Sequence, residues 1–456
     1  MSPNRLEAVL MLLMFMVYNT SGAFVGINIG TRVSDLTSPS DIVSILKAKK
    51  IQHVRLVDSN HEMLVALANT GIEVMVGVPN NHLLRNVAAY IPATNITYIA
   101  VGDEILTTVP NAALVLVPAL QFLQSALLAA NLNTQVKISS PHSMDMISKA
   151  FPPSTATFNS TWNLTMSQYL EFLRTTGSSF MLNAQPYYGY VKGQGVFPLQ
   201  YALFRSLNPN SQIADPNTNL FYTNMFDAMV DATYNSMKAM NFTNIPVMVT
   251  ASGWPWHSAR NEPAADVDNA LAYNTNLIRH VLNNSGTPSQ PNNQVSTYLF
   301  ELFNEDLRSG SVSGESWGIM FSNASAVYSL AFEDVATTST DSPALHGMFC
   351  VANSSAPYSA LKQTVYKPDD IVAVASYAFN DYYHRTQASG GTCNFNSTAT
   401  ISSTDPSHGS CKFAGSTGAN GSTASGPVSQ DSSASQSQSF WLTWLIAMLL
   451  PVLLLM

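Results

Sequence analysis

Short apolar runs rich in β-branched residues alternate with longer amphipathic segments between Phe24 and Phe303. Strands buried on both faces read as near-continuous runs of Val, Ile and Leu, and their alternation with helices indicates parallel pairing. Eight such units predict an α/β fold, a (β/α)8 TIM barrel, with a doubly wound open sheet as the alternative. No glycine-rich phosphate loop follows the first run, which favours the barrel. The predicted strands are Phe24–Gly30, His53–Asp58, Ile72–Pro79, Thr97–Glu104, Gln135–Pro141, Phe180–Gly189, Pro246–Gly253 and Ser296–Phe303.

The N-terminal end of the chain carries an apolar run outside this alternation. The run from Ala8 to Val17 is followed by the small residues Ser21-Gly22-Ala23. It is too short to cross a bilayer, and the small residues after it suit signal peptidase. We therefore predict a secretory signal peptide over residues 1–23, with a buried helix as the alternative reading.

The C-terminal end carries a second apolar run. Residues 414–439 are a polar spacer rich in Ser, Gly, Thr and Gln, residues 440–456 are an apolar tail, and no Lys or Arg follows Lys412. This pattern predicts a glycosylphosphatidylinositol (GPI) anchor, attached at Asn420 or Ser425 after the tail is removed. A tail-anchoring membrane helix is the alternative. The expected location is the extracellular face of the plasma membrane and the cell wall.

Composition narrows the classes of partner. The 456 residues include 28 Asp and Glu against 20 Lys and Arg, for a net charge of −8, which argues against a nucleic-acid ligand. Three cysteines are too few for a disulfide scaffold, and no Cys/His spacing resembles a metal site, so we expect neither a metal nor another cofactor. No protein partner is indicated.

Asn-x-Ser/Thr sequons are frequent, which in a secreted chain predicts a glycosylated surface. One of them begins at the anchor candidate Asn420. The other predicted glycosylation sites are Asn95, Asn159, Asn163, Asn241, Asn283, Asn323, Asn353 and Asn396.

Polar residues that follow the predicted strands are the candidates for chemistry, because TIM barrels carry their active sites at the C-terminal ends of the strands. The fourth strand ends in Asp103-Glu104, and the eighth leads into Glu305. Tyr187, Tyr188 and Trp254 lie near other strand ends. Carboxylates among aromatic rings suit sugar substrates. The alternatives are a strand-end carboxylate bonded to backbone amides and aromatic rings that only pack.

Together these residues resemble glycoside hydrolase family 17, the plant endo-β-1,3-glucanases, from about Phe24 to Cys411. The resemblance implies a barrel over residues 24–336 with an open cleft that binds β-1,3-glucan and cleaves it with retention of configuration. It implies substrate-binding roles for Asn28, Arg55, Asp103, Tyr187, Tyr188, Trp254 and Arg308. The matching motifs are Val25-Gly26-Ile27-Asn28, His53-Val54-Arg55-Leu56, Val101-Gly102-Asp103-Glu104-Ile105, Tyr201-Ala202-Leu203-Phe204, Tyr222-Thr223-Asn224-Met225-Phe226-Asp227-Ala228, Ser252-Gly253-Trp254-Pro255 and Phe303-Asn304-Glu305.

One catalytic position departs from the family pattern. Retaining cleavage needs an acid/base and a nucleophile, both carboxyl groups. Glu104 matches the family's acid/base, but the nucleophile position, directly before Ser-Gly-Trp-Pro, is Ala251. A family glutamate is also replaced by Gly314, and a lysine by Arg308. Glu305 is the expected auxiliary carboxylate.

A second module follows a linker at residues 337–345. Its motifs are Phe349-Cys350-Val351-Ala352, Tyr377-Ala378-Phe379-Asn380-Asp381-Tyr382-Tyr383, Cys393-Asn394-Phe395 and Thr404-Asp405-Pro406-Ser407-His408-Gly409-Ser410-Cys411. With these motifs, residues 346–413 resemble the plant callose-binding module, carbohydrate-binding family 43, in truncated form. That module carries six cysteines, whereas this chain supplies three. We expect a disulfide between Cys393 and Cys411, with Cys350 unpaired. The module is interpreted either as a second glucan-binding site or as a poorly folded remnant.

The sequence therefore predicts a glucan-recognising cell-surface protein of the endo-β-1,3-glucanase family with impaired catalysis. Its expected partners are β-1,3-glucan and, through a lipid anchor, the membrane. One alternative is an active glucanase that uses a substitute carboxylate such as Glu305 or Glu301. The other alternative is a damaged gene product.

Overall fold

In a computed structural model, the described residues fall into two compact units that divide between Thr338 and Ser339. The predicted signal peptide up to residue 21, both anchor candidates, Asn353, Asn396 and Cys411 lie outside the described residues. The structure describes residues 22–78, 87–109, 111–207, 213–259, 262–332, 349–352, 371–386, 393, 395, 398–402, 406–407 and 413.

A parallel sheet forms the centre of the first unit. Its strands lie in the order β5-β4-β3-β2-β1-β11-β10-β7-β6. β5 and β6 are separated only by Ser140, so they are two halves of one extended segment, and the sheet closes into an eight-stranded barrel. The predicted (β/α)8 TIM barrel is confirmed. The strands are β1 Val25–Ile29, β2 His53–Leu56, β3 Glu73–Val78, β4 Asn95–Val101, β5 Lys137–Ser139, β6 Pro141–Ser143, β7 Phe180–Asn183, β10 Val247–Ser252 and β11 Thr297–Leu299, with a small antiparallel pair β8 Ile213–Ala214 and β9 Phe221–Tyr222.

Helices surround the barrel, and several begin at a side chain that caps the first turn. Asn224 accepts the N–H of Asp227 at 2.8 Å, and Asp266 accepts that of Asn269 at 2.8 Å. Such caps satisfy backbone donors that have no partner within the helix. The helices of this unit are α1 Pro39–Ala48, α2 His61–Ala66, α3 Ile105–Thr108, α4 Leu116–Ala129, α5 Asn163–Thr176, α6 Pro186–Lys192, α7 Leu199–Ala202, α8 Met225–Ala239 and α9 Val267–Leu282.

Two predicted elements were too long. The predicted strand Phe180–Gly189 ends at Asn183, and α6 begins at Pro186, whose ring presets a helical φ and offers no N–H to a ladder. The predicted strand Ser296–Phe303 forms a strand only over Thr297–Leu299.

Strand side chains alternate between two cores, as the period of two in a strand requires. On β10, Met248 belongs to a small cluster with Met75, Met181 and Tyr298, contributed by four different strands. Its neighbours Val247 and Val249 belong instead to the large cluster that also contains residues of the surrounding helices. This alternation explains why the strands read as continuous apolar runs in the sequence.

The apolar helix α4 is the one candidate membrane span among the described residues, by length and composition together with the preceding turn (Ala112–Ala129). It is a barrel helix whose inward residues Leu116, Leu120 and Leu127 are buried. Its outward face carries Phe122, which is 66% exposed. The helix therefore packs as part of the barrel wall.

The described residues of the second unit form an antiparallel strand pair and one helix. β12 (Phe349–Ala352) pairs with β13 (Ala399–Ser402), and α10 spans Ile371–Thr386. On α10, the Asn380 side chain accepts the Cys350 N–H at 3.0 Å and so joins the helix to β12.

The predicted disulfide between Cys393 and Cys411 was wrong. Cys393 is bonded to Cys350, with their Cα atoms 5.6 Å apart, so the prediction of an unpaired Cys350 was wrong as well. Both residues are buried with Tyr383 in a small core. Packing within this unit joins cysteines 43 positions apart, and the shorter spacing of the other pair could not reveal that.

Candidate active site

Glu104 lies at the C-terminal end of β4, in a backbone conformation that few side chains adopt. Its φ is +51°, and that of the nearby Gly102 is +68°. A left-handed φ at a residue other than glycine costs free energy and is concentrated at functional sites. The Glu104 carboxylate accepts a hydrogen bond from Asn183 Nδ2 at 2.9 Å. The acid is therefore held between the ends of β4 and β7.

The surroundings of Glu104 favour its protonated form. Burial raises the pKa of the carboxyl group, and the negative charges of Asp103 and Asp145 raise it further. The hydrogen bond from Asn183 and the charge of Arg55 oppose this shift without cancelling it. A carboxyl group with a raised pKa can give a proton to a leaving oxygen near neutral pH.

A largely buried polar network lies next to Glu104 and includes its chain neighbour Asp103. Arg55 is 2% exposed; it donates to Asp103 Oδ1 at 3.1 Å and to Asn28 Oδ1 at 3.3 Å. Asn28 is also fully buried and donates to the carbonyl oxygens of Thr250 and Leu299. Asn28 and Arg55 were predicted to bind substrate; in this structure both are buried within the polar network and present almost no surface to a ligand. Asp103, whose side chain is 53% exposed, is the accessible member of the network.

Ala251 lies directly beside the residue that holds the acid. In the β7–β10 ladder it is paired with Asn183, and neighbouring strands lie about 4.8 Å apart. Thr250 donates to Asn183 Oδ1 at 2.8 Å, which leaves the amide nitrogen to bond Glu104. Ala251 is 2% exposed and contributes only a methyl group. Asn183 was missed as a site residue, although it is a polar residue at the end of a buried strand.

A second group of charges follows β11. Arg308 Nη2 lies 2.9 Å from Glu301 Oε2 and also donates to Glu305, and Arg308 Nη1 donates to the Gly314 carbonyl at 3.2 Å. Glu305 in addition accepts the backbone N–H of Arg32 at 3.1 Å. Glu301 and Glu305 are 0% and 2% exposed. The predicted auxiliary carboxylate Glu305 is thus a buried partner of Arg308.

Glu301 is the most strongly perturbed carboxyl group of this cluster. Burial raises its pKa to about 8, and Arg308 only partly offsets that effect. Its Oε1 has no hydrogen-bond partner among the residues that the structure describes. Glu301 is therefore a buried carboxyl group in the interior of the fold, where its charged form is costly.

The predicted aromatic binding residues divide into buried and exposed rings. Tyr187 and Trp254 are 1% and 0% exposed and meet edge-on, with ring centroids 5.2 Å apart. Both were predicted to bind substrate; in this structure both rings are packed in the core and present almost no surface to a ligand. Tyr188 is 36% exposed and lies over Trp317, with ring centroids 5.5 Å apart. Burial raises the pKa of Tyr188, the charge of Arg308 lowers it, and the charges of Glu262 and Glu104 raise it further.

The remaining predicted sites are dispersed over the surface. Within the described ranges, no three His, Cys, Asp or Glu side chains are grouped as metal ligands. Asn95 and Asn159 are half-buried. The exposed sequon asparagines are Asn163, Asn241, Asn283 and Asn323.

Comparison with known families matches this architecture. Residues 25–332 match the glycosyl hydrolases family 17, and residues 335–400 match the X8 domain. This chain belongs to glycosyl hydrolase family 17. Both resemblances noted in the sequence, to family 17 and to the carbohydrate-binding family 43 module, are confirmed.

Individual relatives cover most of the chain. It is 49% identical to glucan endo-1,3-beta-glucosidase 4 of Arabidopsis thaliana, over 93% of this chain and 90% of the relative. Glucan endo-1,3-beta-glucosidase 3 of the same plant is 43% identical, with 91% and 90% coverage. Among solved structures, CJP38, a beta-1,3-glucanase and allergen of Cryptomeria japonica pollen, matches with a TM-score of 0.63 and 39% identity, over 68% of this chain and 99% of that one.

Proposed function

We propose that this member of family 17 recognises β-1,3-glucan at the cell surface and is impaired in its hydrolysis. The observation that carries the proposal is Ala251, which occupies the nucleophile position on β10 beside the intact acid Glu104. The glucan specificity is supported by relatives that are named glucan endo-1,3-beta-glucosidases.

The half of the reaction that the chain retains is proton donation. Glu104, with its raised pKa, is suited to protonate the glycosidic oxygen as the bond to the anomeric carbon breaks. Retaining hydrolysis then needs a second carboxylate about 5–5.5 Å from the acid, to attack the anomeric carbon and form a glycosyl-enzyme intermediate. The methyl group of Ala251 cannot form that bond. Losing a nucleophile from a concerted catalytic set costs about 10⁴–10⁶ in rate, on the precedent of serine proteases.

The geometry argues against a substitute carboxylate. Glu301 and Glu305 are both buried, and both bind Arg308. Freeing either one would break its pair with the Arg308 guanidinium, which is only 20% exposed, and breaking a largely buried pair is costly. This observation favours an impaired protein over a re-routed active enzyme.

Glucan binding does not require the lost nucleophile. Tyr188 offers an exposed aromatic ring that is packed against Trp317, and Asp103 offers exposed carboxylate oxygens to sugar hydroxyls. Aromatic stacking and hydroxyl hydrogen bonds act on the ground state of the sugar. The X8 domain supplies a second candidate binding module, and its buried disulfide and strand pair argue against a poorly folded remnant.

Restoring the nucleophile tests this proposal. We expect the purified wild-type protein to release no measurable reducing ends from laminarin, and Ala251→Glu to gain turnover that the added change Glu104→Gln abolishes. Wild-type turnover that Glu104→Gln abolishes would overturn the impaired assignment. Retardation of all three proteins in laminarin-containing gels is the expected sign of binding, and its absence would overturn glucan recognition.

We also propose that the protein is secreted, glycosylated and held by a GPI anchor. The signal-like N-terminus and the spacer with its apolar tail support this location. Treating intact cells with phosphatidylinositol-specific phospholipase C is expected to release the protein into the medium. A protein that resists the enzyme while a known GPI-anchored control is released would indicate a membrane helix instead.

A further inference from the structure

Trp256 is a half-buried tryptophan on the loop that follows β10, two residues beyond the buried Trp254. We propose that Trp256, together with Phe321 and His257, forms an additional platform that binds a glucose ring of a β-1,3-glucan chain. This inference rests on the proposed glucan recognition and extends it to residues outside the catalytic positions.

The orientation of the Trp256 ring is fixed. Its indole N–H donates to Asn304 Oδ1 at 2.9 Å, and the same oxygen accepts the backbone N–H of Gly318 at 2.9 Å. The Trp256 backbone N–H donates to the Ser316 carbonyl at 2.9 Å. Asn304 thus fixes the indole ring and Ser316 fixes the backbone that carries it. Little side-chain entropy therefore remains to be lost on binding.

The ring is also part of an exposed aromatic group. Phe321 meets Trp256 edge-on with centroids 5.5 Å apart and is 38% exposed, and the exposed His257 lies alongside, also at 5.5 Å. Large aromatic rings held rigidly at the surface favour a ligand with an apolar face and a polar rim. A β-glucose ring has this shape, because its axial C–H groups present an apolar face while its hydroxyl groups lie around the edge.

The platform lies on the same end of the barrel as the candidate active site. Trp256 follows the C-terminal end of β10, and its partner Asn304 follows that of β11 and precedes Glu305. The C-terminal ends of parallel strands meet on one face of a TIM barrel. A polymer that occupies the site beside Tyr188 therefore has further sugar rings to place on this face.

Tryptophan oxidation tests the platform at the level of single residues. The full-length protein is oxidised with N-bromosuccinimide, with and without laminarihexaose, and each tryptophan is quantified by mass spectrometry. We expect laminarihexaose to slow oxidation of Trp256 several-fold and to leave Trp162 unaffected, since Trp162 is also half-buried but lies at the start of α5. Equal oxidation rates at Trp256 with and without a bound hexasaccharide would overturn the inference.

Substitutions provide the independent readout. Trp256→Ala is expected to weaken laminarihexaose binding about five- to tenfold, the loss of one aromatic stack, whereas Trp256→Phe keeps most of the affinity. Phe122→Ala on α4, which removes an exposed ring outside the site, is the matched control and should bind as the wild type does. Thermal unfolding of each variant establishes that it is folded.

The two proposals fail in different ways. If the wild-type protein binds laminarihexaose and Trp256→Ala binds equally well, the platform is wrong and glucan recognition stands. If the wild-type protein does not bind the hexasaccharide, glucan recognition and the platform both fall.

Discussion

The two sides of the candidate site differ in what their side chains do for the fold. On the β4 side, Glu104 is bonded by Asn183, while Arg55 and Asn28 tie Asp103 to the backbone of β10 and β11. On the β10 side, Ala251 makes no side-chain hydrogen bond, and its neighbour Asn183 is already held by Thr250. The Glu104 and Asp103 side chains thus belong to a polar network that joins several strands of the barrel, whereas the Ala251 side chain does not.

This difference teaches that an intact acid is not by itself evidence of catalysis. Removing a member of a buried polar network leaves its partners unsatisfied, so folding alone is enough to keep such residues in place. A residue whose only task is to form a bond with substrate can be lost without disturbing the barrel.

The largest expected effect is on the acid side. Arg55→Met removes a buried cation, takes the Arg55 hydrogen bond from the buried Asn28 Oδ1 and takes one donor from Asp103, which keeps the hydrogen bond from Asn183; this should cost about 1–3 kcal/mol of unfolding free energy. Urea unfolding followed by circular dichroism measures it. Arg174→Met, which breaks an exposed ion pair with Glu171, is the matched control and should change the midpoint little. If both variants unfold at the same urea concentration, the network does not hold the barrel together.

An intermediate effect concerns Glu301, one of the two carboxyl groups that bind Arg308. Glu301 has a folded-state pKa of about 8, above the ordinary value near 4.5, so the folded protein holds a proton that the unfolded chain releases between these pH values. The free energy of unfolding should therefore fall as the pH rises from about 4.5 to 8. Glu301→Gln should flatten this slope in urea titrations at several pH values. An unchanged slope would mean that Glu301 ionises normally and is available for other chemistry.

The smallest expected effect is at the nucleophile position itself. Ala251→Gly should cost only about 0.5–1 kcal/mol, the difference in strand propensity and backbone entropy. The same urea assay measures it beside Arg55→Met. A loss as large as that of Arg55→Met would show that the Ala251 methyl has become part of the packing and that the contrast between the two sides is wrong.

Much of the fold could be predicted from the sequence because the apolar run of each strand reflects the burial of that strand in the barrel. The apolar runs predicted each strand of the barrel, since both faces of a parallel strand are buried and every residue of the run is constrained. Boundaries were less certain where a turn residue interrupts a run, as at Pro186. Glu104 and Ala251 were identified from motifs at the C-terminal ends of strands, where TIM barrels carry their active sites.

Roles within the site were harder to assign from sequence. Asn28, Arg55, Tyr187 and Trp254 match family motifs, but a motif does not reveal whether a side chain meets solvent or the core. The bond between Asn183 and Glu104 joins residues 79 positions apart, and no local pattern encodes it.

The amino-acid sequence was enough to predict the barrel, the place of Glu104 and the lack of a carboxylate at position 251. Each follows from residue types at positions that the alternation of strands and helices defines. Only the folded structure reveals that Asn28 and Arg55 are buried, that Arg308 binds both Glu301 and Glu305, and that Cys350 pairs with Cys393. These outcomes depend on which side chains are brought together from distant parts of the chain, and burial then sets the free energy of each contact.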